Sequence, residues 1–181
     1  MTDGSKNGDA ETKRIIGKGE KGLFGFVVFA VLSLLSLSQG HAGLLYTIHD
    51  TSIPLDNRLK SIDTTTLAIT DIGDVGVEVS FGGLAYDPNT DTLFMVDGRS
   101  SANLYTVNRT TGIASLTGSH GVSHLRGLAF DSTNNVLYGS RTSSGGTELY
   151  ALNTGNGAAT LVGDTSVSFS GLSYDSTKDD L

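Results

Sequence analysis

A chain of 181 residues with 24 glycines, two prolines, no cysteine and no tryptophan has the length of one domain and the composition of a turn-rich β protein, and it excludes disulfide and thiolate chemistry. Five of the twelve Lys/Arg and four of the nineteen Asp/Glu lie in residues 1–42, so residues 43–181 carry seven basic against fifteen acidic side chains, a net charge near minus eight. Such a surface repels phosphate backbones and excludes a nucleic-acid partner.

Residues 1–22 carry Lys6, Lys13, Arg14, Lys18 and Lys21, after which Leu23 to Ser38 reads LFGFVVFAVLSLLSLS without a charge. Sixteen apolar or small residues are few for crossing roughly 30 Å of hydrocarbon. A basic flank, an apolar run and small residues at Gly40 and Ala42 instead form the pattern of a secretory signal cut after Ala42. Residues 1–42 are therefore read as a signal peptide, with a membrane anchor built on a transmembrane helix as the alternative. Either reading places the remainder outside the cytoplasm, secreted, periplasmic or at the cell surface, and confines membrane contact to this segment. Gly17-Lys18-Gly19-Glu20-Lys21-Gly22 has the letters of a dinucleotide fingerprint, but Arg14-Ile15-Ile16 is too short for the strand that motif requires, so no cofactor is expected.

Beyond residue 42 the chain is periodic. Gly83-Leu84-Ala85-Tyr86-Asp87 returns as Gly127-Leu128-Ala129-Phe130-Asp131 and as Gly171-Leu172-Ser173-Tyr174-Asp175, at intervals of 44 residues. Between copies, apolar runs at Leu93 to Val96, Leu104 to Val107 and Ile113 to Leu116 are bounded by Asp, Asn, Gly, Ser and Thr, the mark of short strands joined by tight turns. Asp87 opens the turn between the first and second strands, where a carboxylate accepts backbone N–H groups two residues on. Asn108 to Gly112 and Asn153 to Gly157 form the hairpins between the third and fourth strands. Four strands in about 44 residues match one blade of a β-propeller. The glycine opening each first strand suits innermost strands, whose backbones approach closely. The predicted fold is thus all-β, with about three four-stranded blades in an incomplete ring.

The stretch GLAYDPNTDTLFMVDGRSSANLYTVNRTTGIASLTG resembles the repeats of secreted bacterial β-propellers of the broad WD40-like and YVTN-like superfamily. The resemblance covers residues 44–181, and it implies fold and export. It departs from WD40 repeats in lacking the Trp-Asp ending, and from quinone-dependent propellers in lacking tryptophan altogether.

By the repeat ruler, Leu45 to Ile48 takes the place of Leu93 to Val96, Leu59 to Asp63 that of Leu104 to Asn108, and Gly73 that of Gly118. The first blade thus begins at its second strand, and Leu181 aligns with the start of another. Propellers close with four to eight blades, so residues 43–181 are expected to be a truncated repeat region, or else a unit that self-assembles, two copies completing a ring.

Sites are sparse. The Asp87 turn has Thr92 and Gly98 where a calcium loop needs Gly and Glu. His120 and His124 have zinc-helix spacing but lie beside Gly121 and Ser123, and are read as solvated loop histidines. No Gly-x-Ser-x-Gly elbow exists. Neither catalytic nor metal residues are expected, and Asn108-Arg109-Thr110 is only a formal glycosylation sequon. The propeller's usual binding face remains, where loops after the second and fourth strands carry Asp97, Arg99, His120, His124, Arg126 and Arg141. The expected function is a non-catalytic binding or interaction module for a protein, glycan or small molecule. The alternatives are a fragment of a lactonase-like or sugar-acting hydrolase and a cell-surface structural protein.

Overall fold

The computed structural model describes residues 43–52, 55–99 and 101–177, all within the unit His41–Leu181. The signal-peptide reading of residues 1–42 lies outside them. Among the described residues no helix is long and apolar enough to cross a membrane.

Eleven strands among the described residues form three antiparallel sheets. The first holds β1 (Leu44–Ser52), β2 (Leu55–Asp63) and β3 (Ile69–Asp74) in that order. The second holds β4 (Leu84–Asp87), β5 (Thr92–Val96), β6 (Asn103–Val107) and β7 (Ala114–Ser119). The third holds β8 (Gly127–Asp131), β9 (Val136–Ser143), β10 (Gly146–Leu152) and β11 (Ala159–Asp164). Each sheet is an up-and-down meander, the form of a propeller blade. The ruler holds in detail. Leu45 pairs with Ile62, Leu93 with Val107 and Leu137 with Leu152, and each third strand breaks register at the same place, after Leu59, Leu104 and Leu149. The fourth strand runs later than expected, over Ala114–Ser119 instead of Ile113 to Leu116.

The turns are built as the side chains dictate. Asp87 Oδ1 accepts the backbone N–H of Asn89 at 2.8 Å, and Asp131 Oδ1 accepts those of Thr133 and Asn134 at 3.0 and 2.8 Å. At the other hairpin Asp63, Asn108 and Asn153 do the same for Thr65 and Thr66, Thr110 and Thr111, and Gly155 and Asn156. An Asx side chain that ties down the next two N–H groups selects one turn shape wherever it recurs.

The blades pack face to face, and the middle one is buried on both sides. Leu93 and Met95 of β5, with Tyr105 and Val107 of β6, join Leu59, Val75 and Val79 in one core. The alternate residues Phe94, Val96 and Leu104 join Leu128, Phe130, Leu137 and Leu152 in the other. Successive strand residues face opposite sides, so a strand between two neighbours must be apolar throughout, as Leu93 to Val96 is. The rings of Phe94 and Phe130 stack across the second interface, 6.3 Å apart and 21° from parallel.

First strands lie side by side, β4 against β8, and the reading of close backbone approach holds at Gly83, whereas Gly127 meets a side chain of its own sheet. A Cβ on Gly83 would stand 2.2 Å from the Arg126 carbonyl oxygen, and one on Gly127 2.4 Å from Ser140 Oγ. Gly171 differs, since a Cβ there meets nothing. Residues 171–175, expected as a first strand, have no strand pairing among the described residues, although Tyr174 Oη donates to Thr133 Oγ1 at 2.7 Å.

Candidate binding surface

The loop from β3 to β4 and the loop from β5 to β6 fold onto one another. Ser80 N–H donates to the Asp97 carbonyl at 3.0 Å, and Gly98, at φ 73°, presses against Ser80 and Phe81, leaving no room for a Cβ. This contact drives Phe81 outward. It is 65% exposed and holds φ 61°, a left-handed conformation that costs a bulky residue roughly 1–3 kcal/mol.

Two of the predicted residues converge on that ring. The Arg99 guanidinium lies 5.6 Å from its centroid and that of Arg126, from the β7 to β8 loop, 5.2 Å. Both distances fall within cation–π range. Neither arginine forms an ion pair among the described residues. The result is an aromatic plate flanked by two planar cations on an otherwise acidic protein, suited to a partner that brings carboxylates and an apolar edge.

Two more of the predicted residues are buried: Asp97, expected on the binding face, and His120, read as a solvated loop histidine. Asp97 is fully buried, and its Oδ2 accepts the Ser101 N–H at 3.1 Å and the Ser101 hydroxyl at 2.6 Å. His120 is 5% exposed, so its reading as a solvated loop histidine is corrected. The chain turns inward after β7, where Val122 N–H donates to His120 Nδ1 at 3.3 Å. With Nδ1 accepting, the ring is the neutral Nε2–H tautomer. Burial pushes its pKa below the usual histidine range, while the Asp97 carboxylate and the Asn103 carbonyl oppose that shift.

Among the described residues the Arg141 guanidinium does not stack on Phe81. His124 is exposed at φ 61°. Arg141 is held by Glu148 Oε2 at 2.6 Å, and Glu148 also takes the Tyr150 hydroxyl. That pairing lowers the Glu148 pKa, with the Arg141 hydrogen bond as its main cause. Arg141 thus braces β9 against β10. Among the described residues no three His, Asp or Glu side chains are placed to hold a metal ion.

Phe81 is the residue that pattern reading passes over. It occupies the place of Leu125 and Phe169, two residues before the repeated glycine, and Leu125 is fully buried. An apolar residue at that place therefore reads as core.

No family model matches the chain, and no curated protein matches it. Solved structures do. A chain of the nidogen/laminin complex aligns with a TM-score of 0.58 at 13% identity, over 76% of this chain and 50% of that one. TolB from Acinetobacter baumannii aligns with a TM-score of 0.48 at 10% identity, over 67% of this chain and 30% of that one. The first likeness shows the fold. This chain is built of β-propeller blades, and it spans about half the length of the nidogen/laminin chain that it matches.

Proposed function

We propose that the chain is an exported β-propeller repeat protein that serves as a non-catalytic binding module, with Phe81, Arg99 and Arg126 as its recognition surface for an acidic protein segment. One observation carries this reading: an aromatic ring held out at positive φ beside two guanidiniums that form no ion pair among the described residues. Strained, exposed aromatic residues flanked by arginine are the residue types that dominate binding energy at protein interfaces. The net negative charge elsewhere makes a basic patch stand out, so an acidic partner is steered to it and turned away from the remainder. A propeller fold that belongs to a protein assembly in the nidogen/laminin complex is in keeping with a protein partner. Export rests on the pattern of residues 1–42.

Fluorescently labelled peptides rich in Glu and Tyr, and the same peptides with Gln for Glu, test the reading. The acidic set is expected to bind, to weaken as salt rises, and to lose at least tenfold in affinity on Phe81→Ala or Arg99→Gln. Equal binding of the Gln set, or indifference to both substitutions, would overturn it.

A further inference from the structure

The first blade gathers a set of oxygen atoms that the other two do not. A surface pocket of about 290 Å³ opens where β3 leaves its sheet, lined by Asn57, Asp74, Gly76, Val77 and Glu78. Asn57 is 3% exposed, whereas Asp74 and Glu78 are exposed, so the amide forms the floor and the two carboxylates the rim. Asn57 grips the loop above it twice. Its backbone carbonyl accepts the Val75 N–H at 2.8 Å, and its Nδ2 donates to the Val77 carbonyl at 3.3 Å. The second bond fixes which end of the amide is oxygen. Oδ1 is then a buried acceptor with no hydrogen-bond partner among the described residues, and such an orphan marks the place of a bound ion or water.

The rim is positioned from the backbone. Asp74 Oδ1 accepts the Gly76 N–H at 2.8 Å, in a turn that Gly76 makes at φ 73°. Among the described residues neither Asp74 nor Glu78 forms an ion pair, and the neighbouring Arg58 is held by Asp71 at 2.8 Å. The equivalent places in the other blades are closed by their own hydrogen bonds. By the repeat ruler the second blade has Ala102, Ser119 and Ser123 there, and the Ser119 hydroxyl donates to the Ala102 carbonyl at 3.1 Å. The third has Thr147, Asp164 and Ser168, and the Thr147 hydroxyl donates to the Phe169 carbonyl at 3.2 Å while accepting the Phe169 N–H at 2.9 Å.

We propose that Asn57 Oδ1 and the carboxylates of Asp74 and Glu78 form a calcium site. An all-oxygen set of carboxylates and an amide carbonyl suits a hard cation. Ca²⁺ accepts such mixed ligands in irregular geometry, whereas Mg²⁺ demands a near-ideal octahedron and keeps its waters. The third protein ligand is an amide oxygen and not a third carboxylate, which places the site in the weak class, with a Kd of about 10⁻⁴–10⁻³ M. The ion gives Asn57 Oδ1 its partner and neutralises two carboxylates that share one rim. It also ties β2 to the start of the loop that leads to Phe81. No spacing motif announces the site, because Asn57 meets Asp74 only through the pairing of β2 with β3.

Equilibrium dialysis of the full chain, stripped with EDTA and held in mild detergent, against radioactive calcium tests this inference. The wild type is expected to bind with a Kd of about 10⁻⁴–10⁻³ M, and Mg²⁺ to compete at least tenfold more weakly. Asp74→Asn and Glu78→Gln should each weaken binding at least tenfold. Both replace an exposed carboxylate by an amide of the same shape, and Asp74→Asn keeps an oxygen for the Gly76 N–H, so circular dichroism should show the fold unchanged. Asp164→Asn, at the place of Asp74 in the third blade, should bind as the wild type does. A wild type that takes up no calcium at about 10 mM, ten times the weak end of that range, would overturn the proposal, and water alone would then partner Asn57. Binding indifferent to Asp74→Asn and Glu78→Gln, or weakened as much by Asp164→Asn, would overturn it equally, since calcium would then be drawn to the acidic surface at large.

Discussion

Gly118 of β7 lies beneath the hairpin tip of the next blade, so close that a Cβ built on it would stand 1.9 Å from the carbonyl oxygen of Asn156. Gly73 has the same relationship to Thr111 one blade earlier, at 2.1 Å. The blades therefore touch backbone to backbone at their outer rim, and glycine in the fourth strand is what permits it. Gly163, the third copy, meets nothing. Gly118→Ala should force two blades apart and lower stability by about 1–3 kcal/mol, the usual range for overpacking. Gly163→Ala should stay within about 0.5 kcal/mol of wild type, as expected of a surface change. Urea midpoints of the two variants check this, and similar losses at both positions would contradict it.

His120 gives the protein a stability limb near neutral pH. Its folded pKa lies below the unfolded value of about 6.5, because burial disfavours the charged ring and the facing groups, Asp97 and the Asn103 carbonyl, only partly offset that. Below pH 6.5 the unfolded chain binds a proton that the folded chain refuses, so stability is full above that value and falls as pH drops through the folded pKa. The urea midpoint should be lower at pH 5.5 than at pH 7.5, and His120→Asn should flatten the difference. A separate limb lies at lower pH. Asp63, held below the usual carboxylate range chiefly by the Thr66 N–H and then that of Thr65, contributes above its unfolded pKa of about 3.9 and is lost as pH falls further.

Arg109 clasps the first two blades. Its guanidinium lies 5.8 Å from the Tyr46 ring and 5.0 Å from the Tyr86 ring, donates to Tyr46 Oη at 3.3 Å, and pairs with Asp91. Asp91 is exposed, so that ion pair is screened and adds little. The stacking and the covered aliphatic stem add more. Arg109→Ala should cost about 1 kcal/mol and Asp91→Ala clearly less, read from thermal melts at low and moderate salt. If Asp91→Ala costs as much as Arg109→Ala, the clasp is an ion pair and not a stack.

Much of this fold was legible because it rests on local rules that repeat. Asp87 and Asn108 tie turns with their own side chains, and Leu93 to Val96 is apolar at every position because a blade stands on either side. The candidate surface was only half legible. Arg99 and Arg126 can be named from the sequence because the loops after the second and fourth strands share the propeller's usual binding face, but Phe81 and Leu125 occupy the same place in the repeat, one turned out and the other buried. Which way such a residue faces is decided by the Gly98 contact, between loops that are distant in sequence. His120 was misread for the same reason, since nothing in the residues flanking it says that the chain turns inward.

Leu67 shows what the same hairpin costs without glycine. It holds φ 59° where Gly112 and Gly157 hold 83° and 80°, and all three N–H groups donate at 2.8 Å to the carbonyl of the residue four before. The left-handed conformation penalises a non-glycine residue by roughly 1–2 kcal/mol, whereas replacing it by glycine sacrifices roughly 0.5–1 kcal/mol in unfolded-chain entropy. Leu67 is 74% exposed, so removing its side chain forfeits little packing. The difference leaves a net gain of about 0.5–1 kcal/mol for Leu67→Gly, or a Tm rise of about 1–4 °C for a domain of this size. Leu67→Ala keeps the strain and should show no such rise. The reverse change at the next tip, Gly112→Ala, adds both strain and the 2.6 Å approach to the Gly73 carbonyl oxygen, and should lower stability by about 2–3 kcal/mol. A melt in which Leu67→Gly falls below Leu67→Ala would show that the leucine side chain holds a contact worth more than the strain it imposes.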